Sequence, residues 1–84
     1  GVTVNMLVPG RIATGRVERL DRSAAERSGE SVDDVRRRSE ASIPTGRYGT
    51  PDEFGAVAAF LCSDQAAYVT GSRVRCDGGI LENL

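Results

Sequence analysis

Residues 2–14 read V-T-V-N-M-L-V-P-G-R-I-A-T, an apolar segment that stops at a Pro-Gly pair. Only two polar residues interrupt the run 2–8, which predicts a strand covered on both faces, as in a parallel sheet. Pro9 lacks the N–H that would continue a ladder, and Gly10 permits a sharp turn and a close approach to a ligand. Ligands of open α/β sheets bind outside the carboxyl ends of the strands. We therefore expect residues 9–14 to form one wall of a ligand site.

The composition limits which partners and which chemistry this chain can have. It has 84 residues and a net charge of −1, with eleven basic residues that are all Arg and with no His. The small net charge gives no long-range attraction to nucleic acid or to an anionic membrane, and no apolar run approaches the ~20 residues of a membrane span. Without His, the commonest general base and metal ligand is missing, so no metal site is predicted.

Cysteine usage and the start of the chain indicate a compartment. Cys62 and Cys76 are too few for a metal site without His, and small secreted disulfide scaffolds usually carry more. We predict that both are reduced and partly buried, with a bridge between them as the alternative. The chain begins at the strand without a leader that resembles a signal peptide. This start favours a cytoplasmic protein and suits a fragment whose earlier part is missing.

Two short helices are predicted after the loop. The first ends at Gly29, because Gly is common just past a helix C-terminus. Ser31, with Asp34 three residues later, is typical of a capped N-terminus and predicts a second helix from Val32 to about Ser42.

Both helices lie in a charge-dense segment, residues 15–43. Seven Arg and seven acidic residues balance between positions 16 and 40, and the run Arg36–Arg38 has acidic neighbours. A solvated helix face is therefore favoured over a phosphate or nucleic-acid patch. The apolar stripes are thin, so neither helix is expected to bury much. A segment of this kind after a ligand loop suggests a lid that covers substrate, and a solvated helical excursion is the alternative.

The clearest helix start in the chain is at Thr50. Thr50 is the predicted N-cap, Pro51 occupies the first helical position, and Glu53 completes a capping box. The helix, residues 50–62, is predicted to pack on the sheet and on a neighbouring subunit. Its apolar face comprises Phe54, Val57, Ala58 and Leu61. A last strand is predicted over residues 72–76, so that strand, helical crossover and strand form a parallel βαβ unit.

Four segments resemble, in order, the C-terminal third of a short-chain dehydrogenase/reductase. They are V-N-M-L-V-P-G-R-I-A-T, I-P-T-G-R-Y-G-T-P-D-E-F, F-L-C-S-D-Q-A-A-Y-V-T-G and D-G-G. The resemblance implies an α/β fold: the C-terminal part of a Rossmann-like, doubly wound parallel sheet, with its last two strands, lid helices and crossover helix. Residues 1–84 would then be a C-terminal fragment of one dinucleotide-binding domain. In it, residues 2–14 would be the strand and nicotinamide loop, 15–43 the lid, 50–62 the helix and 72–76 the last strand.

The resemblance also implies an activity and a cofactor. The family transfers hydride between NAD or NADP and a carbonyl or alcohol substrate, and both a 3-oxoacyl-thioester reductase and a sugar or polyol dehydrogenase fit. Its Pro-Gly-x-x-x-Thr loop implies that Pro9, Gly10, Ile12 and Thr14 bind the cofactor. The backbone at Ile12 would contact the nicotinamide carboxamide, and the Thr14 hydroxyl would bind carboxamide or phosphate. This agrees with the chemistry, because a carboxamide needs both a donor and an acceptor.

The catalytic motifs of the family are absent from this chain. It lacks the Gly-rich first turn, the catalytic Ser and the Tyr-x-x-x-Lys pair, because Tyr48 and Tyr68 are followed four places later by Asp52 and Ser72. No residue here is predicted to be catalytic, and the chain alone is expected to be inactive.

The family resemblance implies a homo-oligomer, a dimer or tetramer, formed through the 51–61 helix and the last strand. The alternative function is a non-catalytic fold remnant that acts as a binding or oligomerisation module. Asn5 is expected to bind the backbone of adjacent segments, because a buried amide must find partners. Further matches to the family are expected to be structural: Tyr68, Thr70, Gly71 and Asp77.

Overall fold

A computed structural model describes residues 1–80, which contain two parallel strands, three α-helices and one short 3-10 turn. In chain order the elements are β1 (Met6–Pro9), α1 (Gly15–Ser28), α2 (Val32–Ala41), α3 (Pro51–Leu61), the 3-10 turn (Asp64–Ala66) and β2 (Arg73–Cys76). β1 and β2 pair in parallel, with Met6 opposite Arg73 and Pro9 opposite Cys76. The predicted parallel βαβ connection is confirmed. Residues 81–84 lie outside the described part of the chain.

The sequence had predicted a strand that starts at Val2, but β1 begins at Met6. The preceding residues face a turn instead of a strand. Gly71 donates its N–H to the carbonyl of Val4, and the Val4 N–H donates to the hydroxyl of Thr70. The ladder therefore cannot extend toward the N-terminus, although the segment itself is extended and apolar.

Asn5 accounts for the start of β2. Its Nδ2 donates to the carbonyl of Val69 over 3.1 Å, and its Oδ1 accepts the N–H of Ser72 over 3.0 Å. The predicted role of Asn5 as a clamp on adjacent backbone is confirmed. Because the side chain uses the Ser72 N–H, the strand begins one residue later, at Arg73.

β1 includes Pro9, which the sequence had placed beyond the strand. The Met6 N–H donates to the Ser72 carbonyl and the Gly10 N–H donates to the Cys76 carbonyl, so alternate residues of β1 face β2. Pro9 is at a position whose backbone nitrogen faces away from β2, so its missing N–H costs no hydrogen bond between the strands. That second edge of β1 has no strand partner within residues 1–80.

The predicted helix ends are confirmed by their caps. Gly29, which follows α1, has the left-handed φ of 73° that favours Gly. The Ser31 hydroxyl accepts the Asp34 N–H over 3.1 Å at the start of α2. Thr50 and Glu53 form both hydrogen bonds of the capping box at the start of α3.

The core lies between α1, α2 and the segment that leads to α3. Its buried residues are Ile12, Asp21, Ala25, Val35, Ile43 and Tyr48; Ala66, in the 3-10 turn after α3, is also buried. The prediction that α1 and α2 bury little is confirmed: although the two helices pack on each other, the residues that they bury are Asp21, Ala25 and Val35 alone. α3 has no buried residue in this chain, and Phe60 on it is 46% exposed.

Both cysteines are free thiols, as predicted. Cys76 is half-buried at the end of β2, but Cys62 is exposed, contrary to the prediction. Cys62 caps the C-terminus of α3 and so lies beyond the packed turn of that helix.

The chain is elongated, with extents of 53 × 25 × 17 Å and a radius of gyration of 15.5 Å. A compact domain of this length would have a radius of gyration of about 12 Å. The difference shows that the elements do not close around one compact core. Across residues 1–80, each helix is too short or too polar to cross a lipid bilayer.

Candidate cofactor site

The loop after β1, residues 10–14, is held by a second parallel bridge. Ala13 donates its N–H to the carbonyl of Gly49 over 2.8 Å, and Gly49 donates its N–H to the carbonyl of Arg11 over 2.9 Å. These two bonds fix the loop against the segment that precedes α3. The loop consequently has a defined backbone path between the end of β1 and the start of α1.

Ile12 lies between these two bonds and presents its backbone to the other side. In a parallel bridge, the N–H and C=O of the central residue point away from the partner segment. Within residues 1–80, neither backbone group of Ile12 has a hydrogen-bond partner. The residue as a whole is buried, with 8% of its surface exposed. The loop thus offers one donor and one acceptor from a single anchored residue.

Gly10 is required by a close approach of two backbone segments. A Cβ placed on Gly10 would lie 2.6 Å from the Cβ and 2.7 Å from the Cα of Asp77. Normal carbon–carbon contacts are about 3.5–4.0 Å, so any side chain here would push the turn after β2 away. The close neighbour of Gly10 in this chain is therefore Asp77, whereas the sequence had suggested a ligand.

Thr14 is the N-cap of α1, a role that the sequence did not predict. Its hydroxyl accepts the Val17 N–H over 3.4 Å, which is long for a hydrogen bond. A hydroxyl has one donor and two acceptor sites, so the cap leaves the O–H and one lone pair for a ligand. Thr14 is exposed and can be reached from solvent.

All four residues predicted to bind the cofactor line one open cleft of about 700 Å³. Pro9, Gly10, Ile12 and Thr14 form one side of it, and Phe54 on α3 contributes to the apolar lining. Small-molecule sites have volumes of about 300–1,000 Å³. The structure therefore brings the predicted residues together in a cleft of suitable size.

An ion pair fixes the segment that anchors the loop. Arg47 binds both carboxylate oxygens of Glu53, over 2.7 and 2.8 Å, and also donates to the carbonyl of Tyr48 over 3.1 Å. The hydrogen bonds that Arg47 donates to Glu53, and a further one from the Thr50 N–H, lower the pKa of Glu53 to about 2. The pair thereby ties the residues around Gly49 to the first turn of α3.

A buried tyrosine and aspartate lie on the other side of the same segment. Tyr48 donates its O–H to Oδ2 of Asp21 over 2.8 Å, and the two residues are 4% and 5% exposed. Burial is the main cause that raises the pKa of Tyr48, and Asp21 adds to it. The guanidinium of Arg36 lies 4.9 Å from the centroid of the Tyr48 ring.

Sequence reasoning missed this pair, although a signal was present. Asp21 lies four residues after Val17 and four before Ala25, on the stripe of α1 that is apolar elsewhere. An acidic residue on a core-facing stripe needs a partner, because burial of an unpaired charge is costly. For Tyr48, the sequence showed only that no Lys follows four places later.

The Arg36–Arg38 run behaves as predicted, as a solvated and locally neutralised helix face. Its members pair with acidic residues at Arg36–Glu40 (3.4 Å), Arg37–Asp34 (3.2 Å) and Arg38–Glu30 (2.6 Å). The hydrogen bond that Arg38 donates to Glu30 lowers the pKa of the Glu30 carboxyl. These pairs are exposed, so they contribute little to stability.

Comparison with known proteins places the chain in a family of oxidoreductases. Residues 1–81 match the family described as Enoyl-(Acyl carrier protein) reductase. The chain belongs to this family within the short-chain dehydrogenase/reductases, which confirms the resemblance seen in the sequence.

Characterised relatives and solved structures agree with this assignment. The NADPH-dependent reductase BacG of Bacillus subtilis (strain 168) is 35% identical over 83 residues, which are 99% of this chain and 32% of BacG. Cyclohexanol dehydrogenase of Rhodococcus sp. (strain TK6) is 42% identical over 80 residues, 95% of this chain and 26% of that enzyme. A short chain dehydrogenase family protein from Francisella tularensis subsp. tularensis SCHU S4 superposes with a TM-score of 0.91 at 30% identity. That superposition covers 96% of this chain and 34% of the other.

The chain spans about a third of the length of these relatives. The predicted fold class, part of a Rossmann-like parallel sheet, is confirmed by the superposition. The predicted cofactor class, NAD or NADP, agrees with the NADPH dependence named for BacG.

Proposed function

We propose that this chain supplies the nicotinamide-binding loop of an NAD(P)-dependent oxidoreductase. The complete enzyme would transfer hydride between the nicotinamide and a small carbonyl or alcohol substrate. The family of the chain and the names of its relatives support oxidoreductase chemistry in general. The catalytic Ser, Tyr and Lys of the family would lie outside this chain, which has no Lys.

The backbone of Ile12 is the observation that carries the proposal. A nicotinamide carboxamide has an N–H₂ donor and a carbonyl acceptor, and it needs the complementary pair from the protein. Ile12 lines the cleft on an anchored loop, and within residues 1–80 its N–H and C=O have no hydrogen-bond partner. Orientation of this kind requires a rigid loop, because a hydride acceptor must lie within a narrow range of distance and angle.

The other three predicted residues would complete the site. The Thr14 hydroxyl keeps its O–H donor while it caps α1, so it could bind carboxamide or phosphate without loss of the cap. Gly10 holds the loop close to the turn after β2, and Pro9 ends β1 beside it. The bound cofactor would supply the hydride, and these residues would orient it and exclude water.

The elements around the loop would have supporting roles. We assign α1 and α2 to a lid that covers substrate, because they follow the loop directly and pack on each other. The exposed Phe60 and the uncovered outer side of α3 support self-association through α3 and β2, as a dimer or tetramer. The free thiols of both cysteines suit a reducing compartment, so we place the protein in the cytoplasm.

Titration of the complete protein with NADH and NADPH tests the proposal, with nicotinamide fluorescence as the readout. Thr14→Val should raise the Kd of the preferred cofactor about 2- to 13-fold, the range for loss of one neutral hydrogen bond of about 0.5–1.5 kcal/mol. Thr14→Ser keeps the hydroxyl and should bind normally.

Ser31→Ala is the matched control for the loss of a helix cap. It removes the cap of α2, and it should lower the melting temperature but leave the Kd unchanged. A complete protein that binds neither dinucleotide would refute the proposal. If it also formed stable oligomers, the alternative of a non-catalytic assembly module would be favoured.

A further inference from the structure

We infer that Tyr48 is a positioning residue that couples α1 and α2 to the loop of residues 10–14. Three sets of contacts converge on it, one from each helix and one through its neighbour in the chain. The consequence for catalysis rests on the proposed function, whereas the coupling itself is a property of the fold.

The contact with α1 is a buried hydrogen bond to a carboxylate. The Tyr48 hydroxyl donates to Asp21 over 2.8 Å, and both side chains are removed from solvent. Within residues 1–80, Asp21 is the only buried charged residue. A buried carboxylate that loses its partner is strongly destabilised, so the two residues favour one relative position.

The contact with α2 involves the ring of Tyr48. Arg36 lies over the ring at 4.9 Å from its centroid, within the range of a cation–π interaction. A movement of either helix therefore changes the contacts of the same side chain.

The backbone next to Tyr48 transmits its position to the loop. Gly49 follows it directly and forms both hydrogen bonds that anchor the loop, to Arg11 and Ala13. A Cβ on Gly49 would lie 3.0 Å from Cδ1 of Ile12, so the two residues are in close contact. A shift of Tyr48 must therefore displace the backbone that frames Ile12.

This arrangement makes the loop and the two helices one mechanical unit. If α1 and α2 close over a substrate, Tyr48 passes that movement to the groups proposed to bind the carboxamide. Cofactor and substrate binding would then assist each other, with the reciprocity that thermodynamic linkage requires. An Asp21–Tyr48 bond that served stability alone would not produce this coupling.

Hydrogen exchange of the complete protein without ligand tests the coupling directly. In Tyr48→Phe, exchange should become about 13- to 160-fold faster in α1 and α2, the range for loss of a hydrogen bond to a charged group, and equally faster in peptides that contain Ala13 and Gly49. Tyr68→Phe is the matched control, because Tyr68 is fully exposed, and it should change nothing. Asp21→Asn keeps an acceptor and should preserve slow exchange at Ala13.

Faster exchange confined to α1 and α2, with Ala13 and Gly49 as slow as in the wild type, would overturn the inference. If Tyr48→Phe does not fold, the double variant Asp21→Leu/Tyr48→Phe leaves no buried carboxylate unpaired and is expected to show the same change at Ala13. Addition of the preferred dinucleotide, NADH or NADPH, separates the two proposals. Protection of the loop but not of α1 and α2 in the wild type contradicts the coupling, whereas a protein that binds neither NADH nor NADPH contradicts only the proposed function.

Discussion

Gly10→Ala should destabilise the complete protein through one steric conflict. The new Cβ would lie 2.6 and 2.7 Å from the Cβ and Cα of Asp77, and about 1 Å of separation must be created between backbone segments. Overpacking of this kind costs about 1–3 kcal/mol. For a domain of 150–250 residues, this corresponds to a melting temperature about 2–12 °C lower. The displaced loop should also bind the cofactor more weakly.

Gly15→Ala is the matched control, since Gly15 lies at the other end of the same loop. Its Cβ would meet only the Arg19 guanidinium, at 3.8 Å, and Ala favours the helix over Gly by about 0.5–1 kcal/mol. Its melting temperature should therefore be unchanged or higher. Thermal unfolding followed by circular dichroism, with a cofactor titration of each variant, makes the comparison. Equal melting temperatures and equal Kd values for Gly10→Ala and wild type would refute the close approach of the loop to Asp77.

Three further outcomes follow from the caps, the ion pair and the shape of the chain. Arg47 holds the pKa of Glu53 at about 2 instead of 4.5. The stabilisation of the folded state by the ionised Glu53 is therefore complete above pH 4.5 and is lost as the pH falls through about 2. The melting-temperature difference between wild type and Glu53→Gln should shrink over that range, and a constant difference would contradict the pairing. Thr50→Ala should cost about 1 kcal/mol in urea unfolding, while Thr50→Ser should be neutral. The isolated 84-residue chain should associate or unfold without cooperativity, because one edge of β1 has no strand partner among residues 1–80 and the chain is elongated. A sharp thermal transition of a dilute monomer would contradict this last expectation.

Local signals in the sequence predicted the helix boundaries well. Caps depend on residues within one turn of each other, so Ser31 and Thr50 with Glu53 could be recognised without knowledge of the fold. Gly29 could be recognised for the same reason, since it needs only the left-handed conformation that follows a helix. The parallel pairing of β1 and β2 also followed from the order of the elements, because a helical crossover between strands favours it.

The packing of side chains could not be predicted in the same way. Asp21 and Tyr48 are 27 residues apart, and nothing in the spacing of either residue identifies the other. The start of β1 depends on the turn at Thr70 and Gly71, which occupies the place where a longer partner strand would lie. Each of these features is a contact between segments that are distant in the sequence. The periodicity of apolar residues indicates the type of an element and its apolar face, but it does not identify the segment that this face contacts.

The proposed site depends mainly on backbone groups, which explains how it can exist in a chain with neither Lys nor His. Ile12 contributes its N–H and C=O, while its side chain serves only to hold them in place. The identity of that side chain can therefore vary with little chemical consequence as long as it fills the same space. The positions that cannot vary are those that fix the path of the backbone, namely Gly10 against Asp77 and Gly49 against Ile12. Substitution of these glycines should thus impair cofactor binding more than removal of the charged side chains around the cleft.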